Sequence, residues 1–368
     1  MEFLPKTLGT RPRLAVEIRA EGIVAARAED SAALLVAISR SPLHEGALAP
    51  GLKPGNIVDR SAIVTGIRKV LDAVADKSKG GQVTLIVPDA AVRVLLLDFD
   101  SLPSKTVEAL PVVRFRLKKL LPFESEDAAV SYQIMSTSKN LVRVVAVAMP
   151  REVLSEYEAT VREAGFEPGA VLPSTLATVA GLDVSDTATL VVNAGPKGVT
   201  TAIVQGGVLL LHRSVDMTTE EPYVEPEVSL PLVDRESSIE EWSRQEPVAI
   251  GVTAQAAAAR EAMMAEPSAV LEGVREELRE LARTSGSREV TQAVSVAAAY
   301  FEDTLGLPPG IILSAGPTGA DRLGSMLRDA DFGGPELRVR ELVETEMVAA
   351  PATVSRAWLG GVRGALKS

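Results

Sequence analysis

Two distant stretches of this sequence read alike without a gap. In the first, Arg13–Arg19 and Gly22–Ala28 are short β-rich runs, with Ala33–Ser39 as a third. In the second, Thr189–Asn193, Val199–Val204 and Val208–Arg213 repeat the trio. The turn Ala20-Glu21-Gly22 falls where Gly195-Pro196-Lys197-Gly198 falls. Leu14 aligns with Leu190, Val16 with Val192, Glu17 with Asn193 and Gly22 with Gly198. A shared opening at the head of each half predicts duplicated lobes of βββα type.

A different pattern separates the two openings. Gln82–Val87 and Val92–Phe99 read as strands, Ser104–Leu121 as a helix, Ala128–Met135 and Leu141–Ala148 as strands, and Pro150–Ala164 as a helix. Val107, Leu110, Val113, Leu117 and Leu121 mark the apolar stripe expected of the first helix. Ser101 or Ser104 is its expected cap, and Pro111 is expected to kink it. The order predicts a small α+β subdomain inserted at about 82–165. The first lobe is then 1–182 and the second 183–368, with helices at Ser268–Ala282 and Glu289–Leu305, a strand at Gly310–Ser314, and a closing helix at Ala352–Leu366.

Composition removes several classes of function. The chain has 368 residues and no cysteine, so disulfide frameworks, thiolate metal sites and cysteine nucleophiles are excluded. With only two histidines, His44 and His212, multi-histidine zinc sites and most Ser-His chemistry are not expected. Aromatic content of 4% and a formal charge of −11 argue against a nucleic-acid partner. Much of that charge sits at about 216–247, where ten acidic residues face only Arg235 and Arg244 among four prolines. This reads as a flexible acidic loop.

No secretory or membrane-spanning segment is legible, so a cytoplasmic protein is expected. Both ends are weakly amphipathic: Phe3, Leu4 and Leu8 beside Lys6 and Arg11, and Trp358 and Leu359 among Arg356, Arg363 and Lys367. Such ends bind anionic lipid or, more commonly, dock on their own domain. Arg114, Arg116, Lys118 and Lys119 form a basic patch on the insert helix. It reads as a solvated face, with docking of an acidic partner or of lipid headgroups as the functional alternative.

Four passages carry a resemblance to a known family. The first is Leu102-Pro103 through Leu120-Leu121-Pro122-Phe123-Glu124, followed by Val130-Ser131-Tyr132-Gln133-Ile134. The second is Val145 through Val153, with Ala164-Gly165-Phe166-Glu167-Pro168. The third is Leu190–Arg213 and the fourth Ile311–Leu323. Together they resemble the PilM-like proteins of type IV pilus assembly, within the actin-like ATPase superfamily. The first two passages are the more specific.

The resemblance implies an α/β, actin-like two-lobed fold: duplicated lobes with mixed sheets flanked by helices, and the α+β insert in the first lobe. It implies a cytoplasmic location, peripheral at the inner membrane, and binding to the short cytoplasmic tail of a PilN-like bitopic membrane protein. Other pilus assembly proteins are further candidate partners, and membrane association runs only through partners. The secretion component GspL has a similar cytoplasmic domain.

It also implies a cleft for ATP with magnesium, and here the sequence departs from the family. Hairpins that cradle phosphate need glycine for close backbone approach and carboxylates to hold hydrated magnesium. The first hairpin has Glu17 where relatives have Asp, Arg19 where they have Gly, and Val24 where they have Lys. The second has Asn193 in place of Asp, keeps Gly195, Thr200 and Thr201, and loses a backbone N–H at Pro196. The third element, Ser314-Ala315-Gly316-Pro317, keeps one glycine of two. The degenerate site residues are therefore Glu17, Arg19, Asn193, Gly195, Thr200, Thr201, Ser314 and Gly316. Weak or absent nucleotide binding and hydrolysis is the expectation, with no catalytic or metal-ligating residue assigned. Arg19 either fills the cleft or binds an anion in another way.

The leading expectation is a scaffold, a pseudo-ATPase that binds a membrane protein's tail. The alternatives are an active actin-like ATPase or small-molecule kinase, and an FtsA-like membrane filament.

Overall fold

The computed structural model describes residues 12–76, 81–217, 286–332, 337–351 and 353–367. The chain divides into one unit of Met1–Met217 with Ser287–Ser368 and a second of Thr218–Gly286. The expected acidic loop, the expected helix Ser268–Ala282 and the apolar N-terminal residues lie outside the described residues.

The first lobe begins with β1 (Leu14–Arg19), β2 (Gly22–Ala28) and β3 (Leu35–Pro42). Helix α1 (Arg60–Val74) follows, and Asp59 caps it by accepting from the Ala62 N–H at 2.9 Å. Its stripe of Ile63, Ile67, Val70, Leu71 and Val74 recurs at helical spacing and packs on Val16, Ile18, Ile23 and Leu85. Strand β4 (Gln82–Val87) closes this first run.

Next come β5 (Arg93–Phe99), α2 (Thr106–Leu117), β6 (Ala128–Ser138), β7 (Leu141–Pro150), α3 (Arg151–Glu163), β8 (Glu167–Pro173) and α4 (Ser174–Ala180). The lobe's five-stranded sheet has the order β3-β2-β1-β4-β8, antiparallel through β1 and parallel from β1 to β8. The insert is a separate antiparallel sheet, β5-β7-β6, with α2 on one face.

The insert is narrower than about 82–165. β4 is the fourth strand of the lobe's own sheet, and α3 packs on that sheet through Val153, Tyr157 and Val161. β4 is buried over five consecutive residues, as a parallel strand covered on both faces must be. Such a run carries no mark of which sheet it joins.

Helix α2 buries Ala109, Val113 and Leu117, whereas Val107 is 85% exposed. Val107 lies six residues before Val113, which turns it about a third of a turn off the buried line. The residue at the cap position is Lys105, without a side-chain cap bond, in place of the expected serine. Pro111 lies inside the helix, which continues past it.

The second lobe repeats the plan. β9 (Thr189–Gly195), β10 (Gly198–Gln205) and β11 (Val208–Asp216) are followed by a helix over 286–305 (α5), β12 (Ile311–Ala315), α6 (Ala320–Asp329) and β13 (Arg338–Glu341). The sheet order β11-β10-β9-β12-β13 matches the first, strand for strand, with the same parallel half. Arg19 pairs with Gly22 and Gly195 with Gly198, so both opening hairpins close with two-residue turns in one register. The duplicated, mixed-sheet, actin-like architecture is the one expected.

A short helix, α7 (Gly360–Leu366), ends the described chain and is buried throughout. It packs against α4, β1, β2 and β4, all of the first lobe. Arg363 donates to the Gly181 carbonyl at 3.0 Å and the Ala32 carbonyl at 3.2 Å. Trp358 and Leu359 are buried as well. The apolar C-terminal residues Trp358 and Leu359 therefore dock on their own domain. Ala15, Val24, Leu176, Val191, Ala202, Trp358 and Leu359 share one apolar cluster, so α4 and α7 join the inner faces of both sheets. Among the described residues no helix is long and apolar enough to cross a membrane.

Candidate functional site

The two opening hairpins meet at the centre of this join. Glu17 lies on β1, two pairs above the turn-closing end of the strand, and is fully buried. Arg19, two residues on, points to the same side of the sheet. Its Nη2 lies 2.7 Å from Glu17 Oε1 and donates to Ser174 Oγ at 2.8 Å. The same nitrogen reaches across to the second lobe and donates to Asn193 Oδ1 at 3.1 Å. The Ser174 hydroxyl donates to Glu17 Oε1 at 2.6 Å.

The amide of Asn193 completes the crossing. Its Nδ2 donates to Ser174 Oγ and to Thr175 Oγ1, each at 2.9 Å, and approaches Asp89 Oδ2 at 3.5 Å. Asp89 in turn accepts from the Thr175 N–H at 3.0 Å and from the Thr175 hydroxyl. His212 on β11 lies close enough for the charge of Asp89 to act on it. Burial lowers the His212 pKa, which the carboxylate of Asp89 only partly offsets, so the ring is neutral at neutral pH.

Burial is also the largest influence on Glu17, raising its pKa above the ordinary value of 4.5; the Arg19 charge and the Ser174 hydroxyl oppose the rise. Glu17 Oε2 accepts no hydrogen bond from the described residues and faces Gly361 of α7, where a Cβ would collide with it.

The remaining sequence-derived residues divide. Gly195 lies against the first hairpin: a Cβ there would sit 3.3 Å from Glu21 Oε1 and 3.7 Å from Pro317. Gly316 has φ +91°, and its Cβ would fall 2.5 Å from Asn193 Oδ1 and 2.7 Å from the Ala194 carbonyl oxygen. Only glycine fits that turn, so it is required by the approach of β12 to the second hairpin. Thr200 pairs with Asn193 across the ladder, but its hydroxyl bonds Ser214 Oγ at 2.8 Å. The hydroxyls of Thr201 and Ser314 are buried and bond nothing in the cluster.

Asp89, Ser174, Thr175, His212 and Glu21 were not legible as site residues. Asp89 and Ser174-Thr175 follow the carboxyl ends of β4 and β8, where open α/β sheets place their functional side chains. Short polar residues just past two buried apolar strands were the available signal. Among the described residues no group of three or more His, Cys, Asp or Glu is placed to hold a metal.

No protein-family model matches the sequence, and no curated protein matches it. Among solved structures it is similar to the PilM-PilN type IV pilus biogenesis complex, at 16% identity over 96% of this chain and 97% of that one, with a TM-score of 0.64. It is also similar to the ethanolamine utilization protein EutJ from Carboxydothermus hydrogenoformans, at 12% identity over 98% of this chain and 91% of that one, with a TM-score of 0.43. A third likeness, to the cytoplasmic domain of EpsL, an inner membrane component of the type II secretion system of Vibrio cholerae, has 13% identity over 55% of this chain and 70% of that one, with a TM-score of 0.36. The first likeness spans nearly all of both chains and is one of fold: this chain has the actin-like architecture, with an inserted subdomain in its first lobe.

Proposed function

We propose that this chain is a cytoplasmic scaffold of a type IV pilus or related secretion platform at the inner membrane, and that it binds the short cytoplasmic tail of a PilN-like membrane protein without turning over ATP. The observation that carries the tail-binding reading is a groove between the first lobe and its insert. A cavity of about 140 Å³ opens there, lined by Val87, Val130, Ser131, Val147, Leu172 and Pro173. It lies beside β6 and β8, the terminal strands of their sheets. An extended peptide adds to a free strand edge and seats alternate side chains in an apolar groove. The fold likeness to the PilM-PilN complex over 96% of the chain supports the same reading.

The geometry between the hairpins supports the absence of turnover. Magnesium nucleotide needs free carboxylates for the hydrated ion and free backbone N–H groups for phosphate. Here Glu17 is engaged by Arg19, the second carboxylate is the amide Asn193, and the Glu21 carboxylate lies against Gly195. A fixed anion on the phosphate-binding hairpin opposes a phosphate by like charge. The residues do not fit the nucleotide that the fold family holds, and no step of a reaction is assigned to them.

Two measurements test the proposal. A synthetic peptide of the tail of the PilN-like protein from the same source is expected to bind the full chain with a Kd of tens of micromolar or tighter. Ser131→Trp, which fills the groove from an exposed position, is expected to weaken binding at least about tenfold, or about 1.4 kcal/mol. No binding in that range, or equal binding by the variant, removes the tail-binding reading. Millimolar magnesium ATP is expected to leave the Tm unchanged. Any ligand of the native state raises it by mass action, so a rise would show that the cleft admits nucleotide.

A further inference from the structure

Helix α2 is apolar on two opposite faces. Val113 and Leu117 are buried against the insert's sheet, and Ala109 is buried on the same face. On the far side Phe115 is 73% exposed, and Val107 and Val112 are exposed with it. Val107, Pro111 and Phe115 recur every four residues and so form one ridge along the exposed face.

The ends of this ridge are basic. Arg116 and Lys119 are exposed beside Phe115, and Lys118 follows at the helix end, 3.2 Å from Glu126. Lys105 stands at the other end, 3.4 Å from Glu108, the one acid inside the helix. Arg114 is not part of this patch. It turns the opposite way and donates to the carbonyls of Ser125 at 2.8 Å and Ala128 at 3.3 Å, tying α2 to the start of β6. A net basic helix is out of character in a chain of formal charge −11.

We propose that the exposed face of α2 docks on an anionic lipid surface. Phe115 and Val107 enter the acyl boundary, and Arg116, Lys118 and Lys119 meet headgroup phosphates. An apolar ridge with cations at its ends suits an interfacial helix, and the charge complementarity is to an anionic surface. This goes beyond the tail-binding reading, in which the membrane is reached only through the partner. The contact adds to a tethered tail by raising effective concentration, so two weak interactions act together.

The test is flotation of the purified full chain with vesicles of phosphatidylcholine alone and of phosphatidylcholine with phosphatidylglycerol. Recovery is expected with the anionic vesicles only, falling as salt rises. Phe115→Ser is expected to lower partitioning at least about tenfold. Arg116→Gln with Lys119→Gln is expected to lower it about 25-fold, from about fivefold per cation. All three positions are exposed, and circular dichroism checks the fold of each variant.

Equal recovery with neutral and anionic vesicles overturns the proposal, as does flotation of the variants at the wild-type level. A concentration-dependent mass abolished by Phe115→Ser, without flotation, assigns the face to a second copy of the chain and overturns it. Capture by polyglutamate without flotation assigns the face to an acidic protein and also overturns it. The vesicles contain no tail, and Ser131→Trp is expected to float normally, so failure here and failure of tail binding are separate results.

Discussion

Arg19→Ala is expected to destabilise the chain by about 3–5 kcal/mol at neutral pH, the range for removing one partner of a buried ion pair. Arg19 reaches Glu17 at 2.7 Å and Asn193 at 3.1 Å, and Glu17 has no exposure to water. Without the guanidinium, Glu17 keeps only the Ser174 hydroxyl, and the direct bond between the two hairpins is lost. A total stability of about 5–15 kcal/mol makes such a loss plain in a urea titration.

The pH dependence identifies the cause. Burial already holds the Glu17 pKa above 4.5, and the Arg19 charge is the largest influence opposing that rise. Removing Arg19 raises the folded pKa further while the unfolded value stays put. Between the two values the folded state binds more protons than the unfolded state, so stability falls as pH rises. The deficit of Arg19→Ala is therefore smallest near pH 4.5 and grows toward neutral pH. Adding Glu17→Gln, which has no charge to bury, is expected to restore part of the loss at neutral pH and little at low pH. Arg19→Lys keeps a charge and is expected to lose less than Arg19→Ala. A deficit that does not change with pH would mean that Glu17 is not the group left unpaired.

The same contacts separate what was legible in the sequence from what was not. The duplicated lobes follow from two turns of equal length between β-rich runs, because a two-residue turn fixes a hairpin's register locally. Glu17, Arg19 and Asn193 are legible through the family resemblance, which gives each a set place on such a hairpin. Their joining is not, since it depends on Ser174 and Thr175 from the end of β8 and on Asp89 from the end of β4. The insert boundary is not legible, because β4, buried on both faces, carries the same apolar run whichever sheet it enters. The buried stripe of α2 is not fixed either, because that helix is apolar on both sides, and periodicity alone does not say which side is covered.

The chain also depends on a glycine that no hairpin motif points to. Gly364→Ala is expected to cost at least about 3 kcal/mol, through overpacking that no side-chain rotamer relieves. α7 lies so close to α4 that a Cβ on Gly364 would fall inside the van der Waals shell of the Ala177 carbonyl oxygen and 2.9 Å from the Gly181 nitrogen. These are backbone atoms, so relief requires moving one helix off the other. That movement would uncover Leu359, Val362 and Leu366 and stretch the bonds of Arg363 to Gly181 and Ala32. Helix propensity acts in the opposite direction, favouring alanine by about 1 kcal/mol, so a net loss isolates the contact. Gly51→Ala is the control: nothing lies within 4 Å of its Cβ, and a change of at most about 1 kcal/mol is expected. Equal stability of the two variants in urea would mean that α4 and α7 do not approach as closely as described. Gly361, one turn earlier, faces Glu17 Oε2, so α7 also backs the carboxylate that Arg19 engages. Gly361→Ala and Arg19→Ala therefore act on one group, and their losses are expected to depart from additivity by at least about 0.5 kcal/mol in a double-mutant cycle.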